Sequence, residues 1–144
     1  MKFAIVISRY NQNITQRLLK GALEAFSKAG INQTLIQTIW VPGAFEIPSL
    51  ALKLAKSKKY NAIVCLGCVL QGETPHNRYI SEAVTKGILY ASLTTGIPIT
   101  FGVLTPNTLK QAMERSGKNS ANKGTEAAEA AIEMAKIYGK PATG

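Results

Sequence analysis

The sequence predicts a single α/β domain, residues 1–144, in which a four-stranded parallel sheet is covered by helices on both faces to give three αβα layers. Two observations carry this reading. Apolar residues recur first with a strand-like and then with a helix-like period, and the two periods alternate along the chain. The stretches between them are short, and short links between alternating strands and helices imply parallel strands. The chain's 144 residues, 46% of them hydrophobic, have room for one core.

Taken in order, Lys2 to Ser8 (KFAIVIS) is a short β-branched run. From Asn13 to Ala29, residues Ile14, Leu18, Leu19, Ala22, Leu23 and Phe26 share one helical face, and Gly30 and Asn32 end the helix. Thr34 to Val41 is a second strand, punctuated by Pro42-Gly43, and Phe45 to Lys56 a second helix. Asn61 to Leu70 (NAIVCLGCVL) is almost wholly apolar, as suits a central strand buried on both faces. A polar loop from Gln71 to His76 leads into a long helix ending at Gly96. Pro98 to Leu104 is the fourth strand; Thr105-Pro106-Asn107 opens a helix closing near Gly117, and Thr125 to Tyr138 is an alanine-rich final helix. Repeats, linkers and low-complexity tails are absent from the sequence.

Composition removes several classes. With 17% charged residues, 12 Gly and 6 Pro, the chain is neither disordered nor collagen-like. No apolar run reaches the ~18–20 residues of a membrane span, and Met1 to Ser8 carries no secretory pattern. Two cysteines make no disulfide scaffold, so a reducing, cytoplasmic setting is expected. The net charge of +9 favours an anionic partner, nucleic acid or a phosphorylated metabolite. The densest basic cluster, Lys53, Lys56, Lys58 and Lys59, falls at a helix end, where it also complements the helix dipole. Aromatic residues do not interleave with basic ones as a base-stacking platform requires, so nucleic acid is not expected as a partner.

In open parallel sheets, ligands gather beyond the carboxyl ends of the strands. That selects Ser8 to Asn11, Val41 to Glu46, Val69 to His76 and the turn after Phe101. His76, the only histidine, can both give and take protons near neutral pH, or it is simply an exposed loop imidazole. Its neighbours Gly72, Glu73 and Thr74 stand just before a helix, where amides and a hydroxyl suit a phosphate. Glu46 can accept hydrogen bonds from polyol hydroxyls beside an apolar wall at Phe45, or it only complements a helix dipole. Tyr10 can stack on a planar heterocycle, or cover the edge of the core. Arg115, followed by Lys118 and Lys123, suits bidentate phosphate binding or a helix C-terminus. Cys65 and Cys68 form C-x-x-C, but within a strand they point to opposite faces, and no second ligand pair exists; metal is not expected. Gly-x-Gly-x-x-Gly and Walker patterns are missing, and no cofactor is expected.

Five segments in order, SRYN (Ser8 to Asn11), WVPGAFEIP (Trp40 to Pro48), LGCVLQGETPHNRYI (Leu66 to Ile80), FGVLT (Phe101 to Thr105) and ERSGKNSANKG (Glu114 to Gly124), closely resemble the lumazine synthase family across essentially the whole chain. The resemblance implies a flavodoxin-like fold and the condensation of 5-amino-6-(D-ribitylamino)uracil with 3,4-dihydroxy-2-butanone 4-phosphate to 6,7-dimethyl-8-ribityllumazine, with loss of phosphate and water. It assigns Tyr10 to stacking on the pyrimidine. Asn11, Ala44 and Phe45 would seat the pyrimidine and ribityl chain, Glu46 would accept ribityl hydroxyls, and Val69 and Leu70 would line the pocket. Gly72, Glu73, Thr74 and Arg115 would hold the phosphate. His76 would be the proton-transfer residue, with Glu126 near it and Lys123 also at the site.

It further implies that Phe101, Arg115 and Lys123 reach into a neighbouring subunit's pocket, so that the enzyme is a homopentamer or a multiple of one, with riboflavin synthase as a further partner. Tyr10 stands where the family usually has Phe, Gln71 where it frequently has Arg, and Asn119 where shell-forming relatives often carry Lys. The start directly at strand one argues against a shell, and the length of the GKNSANKG loop argues for it. Two other readings compete: an archaeal-type riboflavin synthase, and a flavin-binding or shell protein without catalysis. Thr74, Arg115 and an intact VPGAFEIP oppose the former, and His76 opposes the latter.

Overall fold

The computed structural model describes residues 1–72 and 74–139. Strands β1 (Phe3–Ser8), β2 (Ile36–Val41), β3 (Ala62–Cys68) and β4 (Ile99–Leu104) alternate with helices α1 (Gln12–Lys28), α2 (Ile47–Lys56) and α3 (His76–Thr95); α4 (Leu109–Glu114) and α5 (Lys123–Gly139) follow. All strand pairs are parallel and the order is β2-β1-β3-β4, with Ile5 opposite both Thr38 and Val64. This is the expected α/β sheet.

The pleat divides the core in two. Phe3, Ile5 and Ile7 of β1 and Val64 and Leu66 of β3 face α1, α4 and α5, where the rings of Phe3 and Phe26 lie 4.9 Å apart. Ala4, Val6, Ile63 and Cys65 face α2 and α3. Cys65 and Cys68 therefore enter opposite layers, as their spacing requires. Strands β1 and β3 are buried throughout, while β2, at the sheet edge, is mostly half-buried. Among the described residues, no helix is long and apolar enough to cross a membrane.

Element ends differ from expectation where side chains compete for the backbone. Asn32 accepts from the Thr34 amide and hydroxyl and closes a 3₁₀ turn, so β2 starts at Ile36 and not at Thr34. A second 3₁₀ turn, Ala44–Glu46, delays α2 to Ile47. Helix α4 begins only after Thr108, which caps the Gln111 amide. Helix α5 starts earlier than its alanine pattern because buried Asn122 accepts from the Gly124 and Thr125 amides.

Candidate active site

The chain runs from β1 by way of α1 to β2 on one side, then returns past β1 to β3 on the other. The carboxyl ends of β1 and β3 therefore flank the switch point where a parallel sheet opens a crevice. The Arg9 and Tyr10 amides continue the ladder with the Val41 and Pro42 carbonyls at 2.8 and 3.0 Å. Asn11 then adopts a left-handed conformation, φ 63°, and donates from Nδ2 to the Cys68 carbonyl at 2.9 Å. On the far side, the Val69 and Gln71 amides bond the Leu104 and Pro106 carbonyls. Ser8 buries a hydroxyl at the floor, without a hydrogen-bond partner among the described residues.

Tyr10 and Phe45 stand at this end of the sheet, 64% and 63% exposed. Tyr10 thus does not cover the core edge. Exposed aromatic surface of this kind marks a ligand or partner face. Ala44 is buried at the start of the 3₁₀ turn. Half-buried Glu46 reaches back to accept the Gly43 amide at Oε1, 2.9 Å away, which fixes the carboxylate over the turn. Val69 and Leu70 are buried, and their side chains go to opposite layers.

Past β3, Gly72 comes close to the Asn107 carbonyl, where an added Cβ would lie 3.2 Å from the oxygen. Glu73 lies outside the described residues. Thr74 is exposed, and His76 is the first residue of the 20-residue helix α3, its side chain in solvent. The positive dipole end of a helix favours an anion there.

The other expected residues are elsewhere in the single chain. Phe101 sits mid-strand in β4, partly exposed and packed against the α2/α3 layer. Arg115 is exposed after α4, and its carbonyl accepts the Lys123 amide at 2.8 Å. Lys123 and Glu126 pair at 3.4 Å on the first turn of α5, and Glu126 has no other ion-pair partner among the described residues. Helix α5 belongs to the α1 layer, whereas α3 covers the opposite face. Tyr10, Asn11, Phe45, Glu46 and His76 are thus gathered at one end of the sheet; Arg115, Lys123 and Glu126 form a second group.

A recess of about 1090 Å³ lies between α1, α5 and the loop at 116–122, lined among others by Arg17, Glu24, Asn122 and Glu133. It contains none of the crevice residues, and the chemistry argues for the crevice. Among the described residues, no group of three His, Cys, Asp or Glu side chains could hold a metal.

Residue-type reasoning passed over the groups that shape the site. Asn77 holds the turn before α3, and Arg17 bonds Ser116 and the Met113 carbonyl and so anchors the segment carrying Arg115. The Thr74–Asn77 spacing of three at a helix start was the available signal; the Arg17 contact, 99 residues apart in sequence, had none.

Residues 1–138 match the family model described as 6,7-dimethyl-8-ribityllumazine synthase. The match runs from β1 into the last turn of α5 and takes in both groups of site residues. The parallel αβα sheet is the flavodoxin-like domain of that family. By this match the chain belongs to the 6,7-dimethyl-8-ribityllumazine synthase family, transferases of riboflavin biosynthesis.

Proposed function

We propose that this chain condenses 5-amino-6-(D-ribitylamino)uracil with 3,4-dihydroxy-2-butanone 4-phosphate at a crevice shared by adjacent subunits, with His76 moving the protons. The observation that carries this reading is the placement of exposed Tyr10 and Phe45, the tethered Glu46 and solvent-facing His76 at one switch point. Tyr10 stacks on the pyrimidine, while Asn11, Ala44, Phe45, Val69 and Leu70 bound it. Glu46 uses Oε1 on Gly43 and offers Oε2 to ribityl hydroxyls. Gly72, Glu73 and Thr74 at the α3 start, with Arg115, take the phosphate.

The substrate amine attacks the ketone and the carbinolamine loses water to give an imine. Elimination of phosphate leaves an enol that tautomerises to a ketone, which the second amine attacks; loss of a second water closes the ring. Each step moves a proton, and one imidazole can serve in both directions. Holding the two substrates together supplies much of the rate, since orientation can be worth about 7–11 kcal/mol.

The open crevice supports a site completed by a neighbour, with Phe101, Arg115, Lys123 and Glu126 contributed across the interface. Exposed Tyr79, Leu89, Tyr90 and Leu93 on α3 support self-association, which we read as a homopentamer or a multiple of it. The same reading takes residues 1–144 as one domain, acting in the cytoplasm, with riboflavin synthase as a consumer of the product. The test is incubation with both substrates, following lumazine fluorescence and phosphate release. One phosphate per lumazine supports the reading. Binding without turnover favours a flavin-binding protein, and conversion of separately supplied 6,7-dimethyl-8-ribityllumazine without phosphate release favours a riboflavin synthase.

A further inference from the structure

The turn before α3 hangs on one side chain. Asn77 donates from Nδ2 to the Leu70 carbonyl, and its Oδ1 lies 3.1 Å from the Thr74 hydroxyl. A carbonyl can only accept, so the amide nitrogen must face Leu70 and the oxygen must face Thr74. The Thr74 hydroxyl is therefore the donor in that pair. The Asn77 amide also donates to the Thr74 carbonyl at 3.3 Å. Asn77 is half-buried, on the first turn of α3 and next to His76. Gln71 adds a second tie, donating from Nε2 to the Val69 carbonyl at 3.1 Å and accepting from the Ser81 hydroxyl at 3.4 Å.

We infer that Asn77 is a positioning residue for phosphate recognition: by holding Leu70 and Thr74 at once, it fixes the placement in which Gly72 and Thr74 present their donors. This rests on the function proposed above. The physical reason is preorganisation. Free loop residues must be ordered when ligand binds, and a turn already closed by three hydrogen bonds needs less ordering. Without Asn77, the Leu70 carbonyl loses its partner and the turn relaxes.

The experiment uses the full chain and inorganic phosphate as the probe, with dissociation constants measured by calorimetry for wild type, Asn77→Leu and Asn77→Asp from pH 4.5 to 8. Asn77→Leu keeps the shape and removes both bonds, and is expected to weaken phosphate binding about tenfold at every pH. KM for the phosphate-bearing substrate should rise equally, with kcat and KM for the pyrimidine changing far less. Asn77→Asp, when protonated, can donate to Leu70 and accept from Thr74 as asparagine does. Its phosphate affinity, as a ratio to wild type, should rise toward the acid end as the carboxyl takes up its proton and fall as it ionises. Phosphate itself titrates identically in both experiments and cancels in that ratio.

Wild-type phosphate affinity in Asn77→Leu overturns the proposal. So does an Asn77→Asp variant whose ratio to wild type does not rise toward acid pH, since regaining the two hydrogen bonds would then not govern binding. Should Asn77→Leu fail to fold, the acid recovery of Asn77→Asp still decides. Failure of wild type to turn over the two substrates would count against the function, a result separate from either outcome.

Discussion

Asn11 donates from Nδ2 to the carbonyl of Cys68 across 2.9 Å, joining the segment that leaves β1 to the last residue of β3. The bond spans the switch point and ties the segment after β1 to the end of β3 beside the crevice. Asn11 does this from a left-handed backbone, φ 63°, which asparagine tolerates better than most residues.

Asn11→Gly keeps that backbone and loses the side-chain bond, and should destabilise the fold by about 1–2 kcal/mol. Asn11→Val loses the bond and strains the backbone, adding about 1–2 kcal/mol more. Urea unfolding of the pair separates the terms. Equal stability of the two variants would show that the left-handed conformation carries no cost here.

His76→Ala should slow turnover by about 10²-fold or more without abolishing it, because substrate juxtaposition survives. Single-turnover lumazine formation is the measurement. If the site is shared as proposed, subunits of His76→Ala mixed with subunits of Arg115→Ala should recover part of the activity, since some mixed interfaces would then carry both intact residues. No recovery despite verified mixing would contradict a shared site.

Asn122 is buried and holds four backbone groups: it donates to the Arg17 and Gly117 carbonyls and accepts from the Gly124 and Thr125 amides. Asn122→Ala uncaps α5 and loosens the segment between Arg115 and Lys123. The expected loss is about 2 kcal/mol or more in stability, together with a raised KM for the phosphate-bearing substrate. A change in stability with KM untouched would confine Asn122 to folding.

Burial pushes the Cys65 thiol above its ordinary range. The native state therefore keeps a proton that the unfolded chain releases from about pH 8.5 upward. Stability from this group is complete below that pH and is lost as pH rises toward the native value. The slope is at most about 1.4 kcal/mol per pH unit. Cys65→Ala should show a shallower decline in urea stability between pH 8.5 and 10.5. Parallel slopes for variant and wild type would mean that the thiol is not protected.

The sequence by itself determined the elements and their layering, because the period of apolar residues is a local property of each strand or helix. The almost wholly apolar run Asn61 to Leu70 marked β3 as central, and the alternation of β and α implied parallel pairing. The order of motifs was equally local, which is why Tyr10, Glu46, His76 and Arg115 could be singled out as candidates, with roles that the family resemblance supplied. Only the tertiary structure decided which of them meet. Asn11 reaches Cys68 and Arg17 reaches Ser116 because the sheet order and the α1–α5 packing bring distant segments together. The same folding separates the α3 end carrying His76 from the α5 end carrying Lys123 and Glu126, since the sheet lies between those layers. The four ties of Asn122 were illegible for a related reason: a hydrogen bond depends on angles and on what else is buried, and residue spacing encodes neither.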